Sequence, residues 1–183
     1  MKVNTRIRLA LHHLRKGVIA HPTDTIYGLG CLANNSFGIR KIIELKKRDI
    51  SKGFILLASD IGYLLPYIDS QISEDLLEQL SLPTKSPTTF LVPKSEELPP
   101  LLAGGNELLA VRITSNPLIK FFCEETESAL ISTSANLQGK KAASTQRELK
   151  SYFGNQLDYV LPPSGYNSEP SKIINLMTGE RLR

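Results

Sequence analysis

The sequence predicts an α/β (α+β) domain built on one mixed sheet, and three observations carry that prediction. Helical and extended patterns interleave along the chain rather than segregating into blocks. The run GFILLA, residues 53–58, is continuously apolar after its glycine, as in a strand buried on both faces. The chain has 183 residues, 41% apolar and 22% charged, which suits a single domain over residues 1–183 with a sizeable core.

The elements follow in order. Residues 4–16 read as a helix with Ile7, Ala10, Leu11 and Leu14 on one face, stopped by Gly17. GVIAHP (17–22) is a short strand leading into HPTDTIYGLG (21–30), a stretch too rich in Gly and Thr for an ordinary strand. Residues 36–48 form a second helix, with Ser36 offering a cap. Residues 59–80 are helical, broken at Pro66 and restarted at Ser73. TTFLVP (88–93), LLAVRIT (108–114) and ALISTSA (129–135) are strands. Asn116-Pro117 opens a helix, and Thr145 with Glu148 makes a capping box for another that Gly154 ends. LDYVLP (157–162) and SKIINL (171–176) are late strands.

Bulk properties narrow the function. The net charge of +4 and a pI near 9.1 permit an anionic partner without demanding one. Cys31 and Cys123 stand far apart, and the histidines are His12, His13 and His21, so no zinc site is expected. Two lone cysteines fit a reducing compartment. The longest clean apolar run is far short of the roughly 20 residues that span a bilayer. The reading is a cytoplasmic protein with no membrane partner.

Four stretches could carry chemistry. IRKIIELKKRDISKG (39–53) holds Arg40, Lys41, Lys46, Lys47, Arg48 and Lys52 against Glu44 and Asp49. It reads either as a solvated helix face or as an anion site. Lys46 and Arg48 lie roughly 200° apart on a regular helix, so they converge only if the helix ends between them. ALISTSANLQGK (129–140) ends an apolar strand in small hydroxyls; Ser132, Ser134 and Asn136 share a face if it stays extended. A self-satisfied turn is the plainer reading. Arg112 lies in mid-strand, opposite to Val111 and Ile113, toward solvent or a cleft. GLGCLA (28–33) matches G-x-G-x-x-A, but PTDTIY separates it from the preceding strand and no helix start follows, which argues against a dinucleotide oxidoreductase. No G-x-x-x-x-G-K-[ST] loop or nucleophile–base arrangement is present.

Together, HPTDTIYGLG, LKKRDISKG, LLAVRIT, STSANLQG and the closing PSKIINL…RLR resemble the YrdC/TsaC family of threonylcarbamoyl-AMP synthases, in order and spacing from about residue 5 to residue 183. The resemblance is to the short form, without the additional C-terminal domain of larger relatives. It implies a twisted mixed sheet flanked by helices, with a basic concave surface. It also implies a reaction: L-threonine, bicarbonate or CO2, and ATP give threonylcarbamoyl-AMP and pyrophosphate. A partner transferase then modifies tRNAs that read ANN codons. By resemblance, Lys46 and Arg48 are catalytic, and Lys46, Arg48, Lys52, Ser132, Ser134 and Asn136 bind ATP, with Thr89, Ser171 and Arg183 as further nucleotide contacts. Thr23, Thr25, Tyr27 and Arg112 belong to the threonine side, Tyr27 as its apolar wall. Both Lys46 and Arg48 are expected to face solvent. Mg2+ travels with ATP, and no protein metal site is expected; Asp24 and Asp49 are the nearest carboxylates and fit turn or cap roles better.

The chain departs from the family in three places. Residues 82–89 read LPTKSPTT where a W-P-G-P-x-T segment is usual, Asp49 replaces a frequent proline, and His21 stands where other residues are common. The alternative function is a non-catalytic RNA-binding module reading tRNA or rRNA through the basic cluster, although the aromatic–basic interleaving of an RRM is missing.

Overall fold

The computed structural model describes residues 2–23, 26–162 and 170–183. Its strands are β1 (Ile19–His21), β2 (Gly28–Leu32), β3 (Ile55–Ala58), β4 (Thr88–Pro93), β5 (Leu108–Ile113), β6 (Leu130–Ser134), β7 (Tyr159–Val160) and β8 (Lys172–Asn175). They form one sheet in the order β7-β1-β2-β6-β3-β5-β4-β8. The β1/β7, β3/β5 and β4/β8 pairs are parallel, the others antiparallel, so the sheet is mixed as expected.

The helices are α1 (Thr5–Leu14), α2 (Ser36–Lys46), α3 (Glu74–Ser81), α4 (Pro100–Ala103), α5 (Pro117–Thr126) and α6 (Gln146–Phe153). Local chemistry sets their ends. Asn4, Ser73, Asn116 and Thr145 each accept from a backbone N–H in the first turn, and Thr145 with Glu148 completes the capping box. Asn35, not Ser36, caps α2. The stretch after β3 holds two 3-10 turns around Pro66 before α3 begins, because proline cannot continue a helical ladder. Helix α4 was not anticipated; four residues carry too little periodicity to read.

Strand β2 is the main departure from expectation. Its glycines conceal a period of two: Leu29 and Cys31 are buried on one face, Gly28 and Gly30 stand on the other. Pairing with β1 and β6 on both sides supplies what strand propensity does not. Helix α2 lies on the face of Cys31, whose sulfur packs at Gly38.

The opposite face at Gly30 is filled by His21. An ideal Cβ on Gly30 would stand 2.8 Å from His21 Nε2 and 2.9 Å from the Ile131 carbonyl. The imidazole is fully buried, and its Nδ1–H donates to the Pro22 carbonyl at 3.1 Å. Burial pushes its pKa from 6.5 down to about 4.

The folded-state pKa lies below the unfolded value, so the unfolded chain takes the proton first. This share of stability is complete above pH 6.5 and lost as pH falls toward 4, a difference of about 3 kcal/mol. A His21→Phe variant should flatten the pH dependence of urea unfolding in that window; an unchanged slope assigns the effect elsewhere. Gly30→Ala should lower stability by about 1–3 kcal/mol through overpacking, read as an earlier thermal midpoint.

Candidate functional site

Short side chains at paired positions of neighbouring strands open a cavity of about 660 Å³ on the sheet. Gly28 on β2 sits opposite Ser134, Ser132 opposite Ile55, and Ile55 opposite Ala110. Because paired residues share a face, glycine, serine and alanine leave one continuous hollow floored by Ile55, Leu57 and Leu91.

Arg112 stands in this floor opposite Leu57 and is buried, as are Leu109 and Val111 on the other face of β5. It therefore faces the cleft rather than open solvent. A buried guanidinium among small and apolar groups is suited to a carboxylate, which it meets with two parallel donors.

The cationic loop begins where α2 ends. Lys47 adopts a left-handed conformation, φ 48°, and its N–H and that of Arg48 bond back to the Glu44 and Ile43 carbonyls. The reversal brings Arg48 round to the side of Lys46, which a continuing helix would forbid. Arg48 donates to the Gly53 carbonyl at 2.7 Å and lies 5.2 Å over the Phe54 ring. Its Nε is buried without a hydrogen-bond partner, leaving a donor for a ligand. Burial lowers its pKa, although guanidinium stays charged at any working pH.

Lys46 is not solvent-facing, contrary to expectation: it is 4% exposed. Its ammonium donates to the Ser134 carbonyl, to the Asn136 carbonyl at 2.7 Å and to Asn136 Oδ1 at 2.9 Å. The end of β6 covers it, a contact some ninety residues away that no local pattern announces. Burial, then the charge of Arg48, pushes its pKa down to about 7, while three oxygen acceptors favour the ammonium form.

Ser134 Oγ donates to Asn136 Oδ1 at 2.6 Å, and Asn136 Nδ2 donates to the Lys140 carbonyl at 2.7 Å. A smaller cavity of about 170 Å³ lies between this turn and the cations. It shares Arg48, Lys52 and Ser134 with the larger one, so the two adjoin. Exposed Lys52 reaches both.

The loop is clamped from a direction the sequence did not suggest. Asn106 Nδ2 donates to the Ser51 carbonyl at 3.1 Å and to the Ala103 carbonyl at 2.7 Å, and Gly105 N–H donates to Ser51 at 3.1 Å. Gly104, at φ 62°, lets the backbones meet; a Cβ there would lie 2.5 Å from the Ile50 and Ser51 carbonyls. The Gly-Gly-Asn run at 104–106 was the available signal.

The remaining candidates divide. Thr23 lines the cavity and closes its own turn, donating to the Ile26 carbonyl at 2.6 Å and accepting from Ile26 N–H at 3.1 Å. Thr25 and Asp24 lie outside the described residues. Tyr27 is corrected: it is buried on the core side, its hydroxyl donating to the Leu161 carbonyl, and Ile26 lines the cavity instead. Alternation from Gly28 puts Tyr27 on the face of Leu29, away from the hollow. Thr89 and Ser171 are buried and share a hydrogen bond of 2.8 Å, with Ser171 at the cavity wall. Arg183 donates to the Ser171 carbonyl at 3.2 and 3.0 Å, because residues after β8 turn back along it and bring Leu182 and Arg183 to the rim. Asp49 caps a 3-10 turn by accepting from Ser51 N–H. Among the described residues no group of three or more His, Cys, Asp or Glu is placed to hold a metal.

The geometry thus offers one hollow with cations from three separate segments, a carboxylate-matching arginine and small hydroxyls. Residues 13–183 match the Sua5/YciO/YrdC family model, described as telomere recombination. A threonylcarbamoyl-AMP synthase of Nitrosococcus oceani is 42% identical over 186 residues, 98% of each chain. One of Idiomarina loihiensis is 37% identical over 93% of this chain and 92% of its own. The crystal structure of P. abyssi Sua5 complexed with L-threonine superposes with a TM-score of 0.82 at 26% identity, over 96% of this chain and 52% of that one. This chain belongs to the Sua5/YciO/YrdC family.

Proposed function

We propose that this protein is an L-threonylcarbamoyladenylate synthase, forming threonylcarbamoyl-AMP and pyrophosphate from L-threonine, bicarbonate or CO2, and ATP. The observation that carries the reading is the adjoining of two cavities, one floored by buried Arg112 and one walled by Arg48 and Lys52. Relatives bearing that enzyme's name at 42% and 37% identity, and the similar fold of P. abyssi Sua5 complexed with L-threonine, support it.

Arg112 takes the threonine carboxylate, beside Thr23 and the small wall at Gly28. The amine adds to CO2 to give a carbamate, releasing a proton. A carbamate oxygen attacks the α-phosphorus of ATP, the bond to the bridging oxygen breaks, and pyrophosphate leaves. No protein nucleophile is required. Catalysis is positioning together with positive charge on the departing phosphates, which Arg48 and Lys52 supply from the smaller cavity. Ser132 and Ser134 line the path between the two substrates, while Ser171, backed by Thr89, and Arg183 form the nucleotide's outer wall. The described residues contain no carboxylate cage, which suits Mg2+ carried by the triphosphate through water and phosphate oxygens.

The first and last thirds of the chain pair into the same sheet, which supports a single domain over residues 1–183. No helix among the described residues is long and apolar enough to cross a membrane, which suits the cytoplasm, where the adenylate would pass to a tRNA-modifying transferase. The non-catalytic RNA-module reading is not favoured, since the similar proteins bear the enzyme's name.

The test is pyrophosphate release that requires ATP, bicarbonate and L-threonine together and needs no tRNA. Arg48→Ala should lower that rate about 100-fold, the order expected for losing one preorganised charge-stabilising donor. Arg112→Ala should raise the KM for L-threonine about 10- to 100-fold with a much smaller change in the KM for ATP, as for a lost charge-assisted pair. Loss of ATP affinity alone in that variant contradicts the assignment.

A further inference from the structure

An ammonium group has three N–H donors and no acceptor. Lys46 commits all three: to the Ser134 carbonyl, the Asn136 carbonyl and Asn136 Oδ1. These three oxygens belong to one tight turn, in which Asn136 N–H also donates to the Ser134 carbonyl at 2.9 Å. Carbonyl dipoles that converge on one point repel each other unless a cation sits there. The buried ammonium is that cation. A phosphate oxygen reaching Lys46 would have to displace one of the three acceptors. All three cations line the smaller cavity, but the other two keep donors to spare: Arg48 spends one on the Gly53 carbonyl and its Nε has no partner, and Lys52 is exposed.

We propose that Lys46 is a positioning residue rather than a phosphate ligand: its ammonium fixes the Ser134–Asn136 turn, and it influences the nucleotide only through that turn. This rests on the synthase reading above and changes the role expected of Lys46 within it. The turn sets where Ser134, Gln138 and Gly139 stand around the smaller cavity. Removing the charge opens the turn and blunts the site while the two phosphate-facing cations remain.

A double-mutant cycle between Lys46 and Asn136 tests the idea. Lys46→Met keeps the stem and removes the donors; Asn136→Ala removes the side-chain acceptor. Each single variant should lower kcat/KM for ATP about tenfold or more, and the double variant should fall little further, because both changes break one arrangement. Inorganic pyrophosphate is the binding probe. Its Kd should change less than about threefold in Lys46→Met but weaken about tenfold or more in Arg48→Ala, the loss of one charge-assisted contact. Multiplicative losses in the double variant, or pyrophosphate weakened by Lys46→Met as much as by Arg48→Ala, would overturn the proposal.

Because Lys46 is buried, its variants could fail to fold, so the wild-type chain supplies a second readout. In protein carrying 15N-lysine, saturating pyrophosphate should shift the Lys52 ammonium resonance and leave that of Lys46 in place. A Lys46 shift as large as that of Lys52 overturns the proposal. Failure of the functional reading shows separately, as wild-type protein that releases no pyrophosphate when all three substrates are supplied.

Discussion

One buried ammonium joins the end of helix α2 to the end of strand β6, and the site depends on that join. Lys46 is placed there by its helix and held by three oxygens of the turn after β6. The left-handed residue that follows it brings Arg48 round to the same side, where it packs on Phe54 and donates to the Gly53 carbonyl. Two cations two residues apart thus serve different ends. One is buried in a shell of three oxygens, the other is half-buried at the wall of both cavities. Leaving such a cation unpaired in the interior would be costly, which is why its oxygen shell and its burial occur together.

The hollow arises from a different economy of side chains. Gly28, Ser132 and Ala110 face the same side of three strands, and the missing volume is the cavity. Its floor is largely apolar, so charges there, the buried Arg112 among them, are poorly screened. The clamp of Asn106 and Gly104 on Ser51 stiffens the loop that carries Arg48 and Lys52. Rigid placement matters because the proposed chemistry draws on orientation and charge rather than on a protein nucleophile.

Much of this was legible in the residues, and the failures have physical causes. The strands expected at 88–93 and 108–114 and the capping box at Thr145 follow from local patterns, and the structure has them, the second strand ending at Ile113. The condition that the helix end between Lys46 and Arg48 was readable from helical phase, and it is met after Lys46. Strand β2 was not readable, because glycine carries no side chain with which to display a period of two. Tyr27 was placed at the threonine site by resemblance alone; with β2 unread, no alternation was available to show that it shares the buried face of Leu29. The burial of Lys46 depends on a turn ninety residues away, beyond the reach of any local window.

The most direct measurement is a crystal structure with L-threonine and a non-hydrolysable ATP analogue bound together. The account predicts the amino-acid carboxylate on Arg112 and the β- and γ-phosphates within hydrogen-bonding distance of Arg48 and Lys52, in the smaller cavity. A triphosphate bound elsewhere on the chain, with that cavity unused, contradicts it.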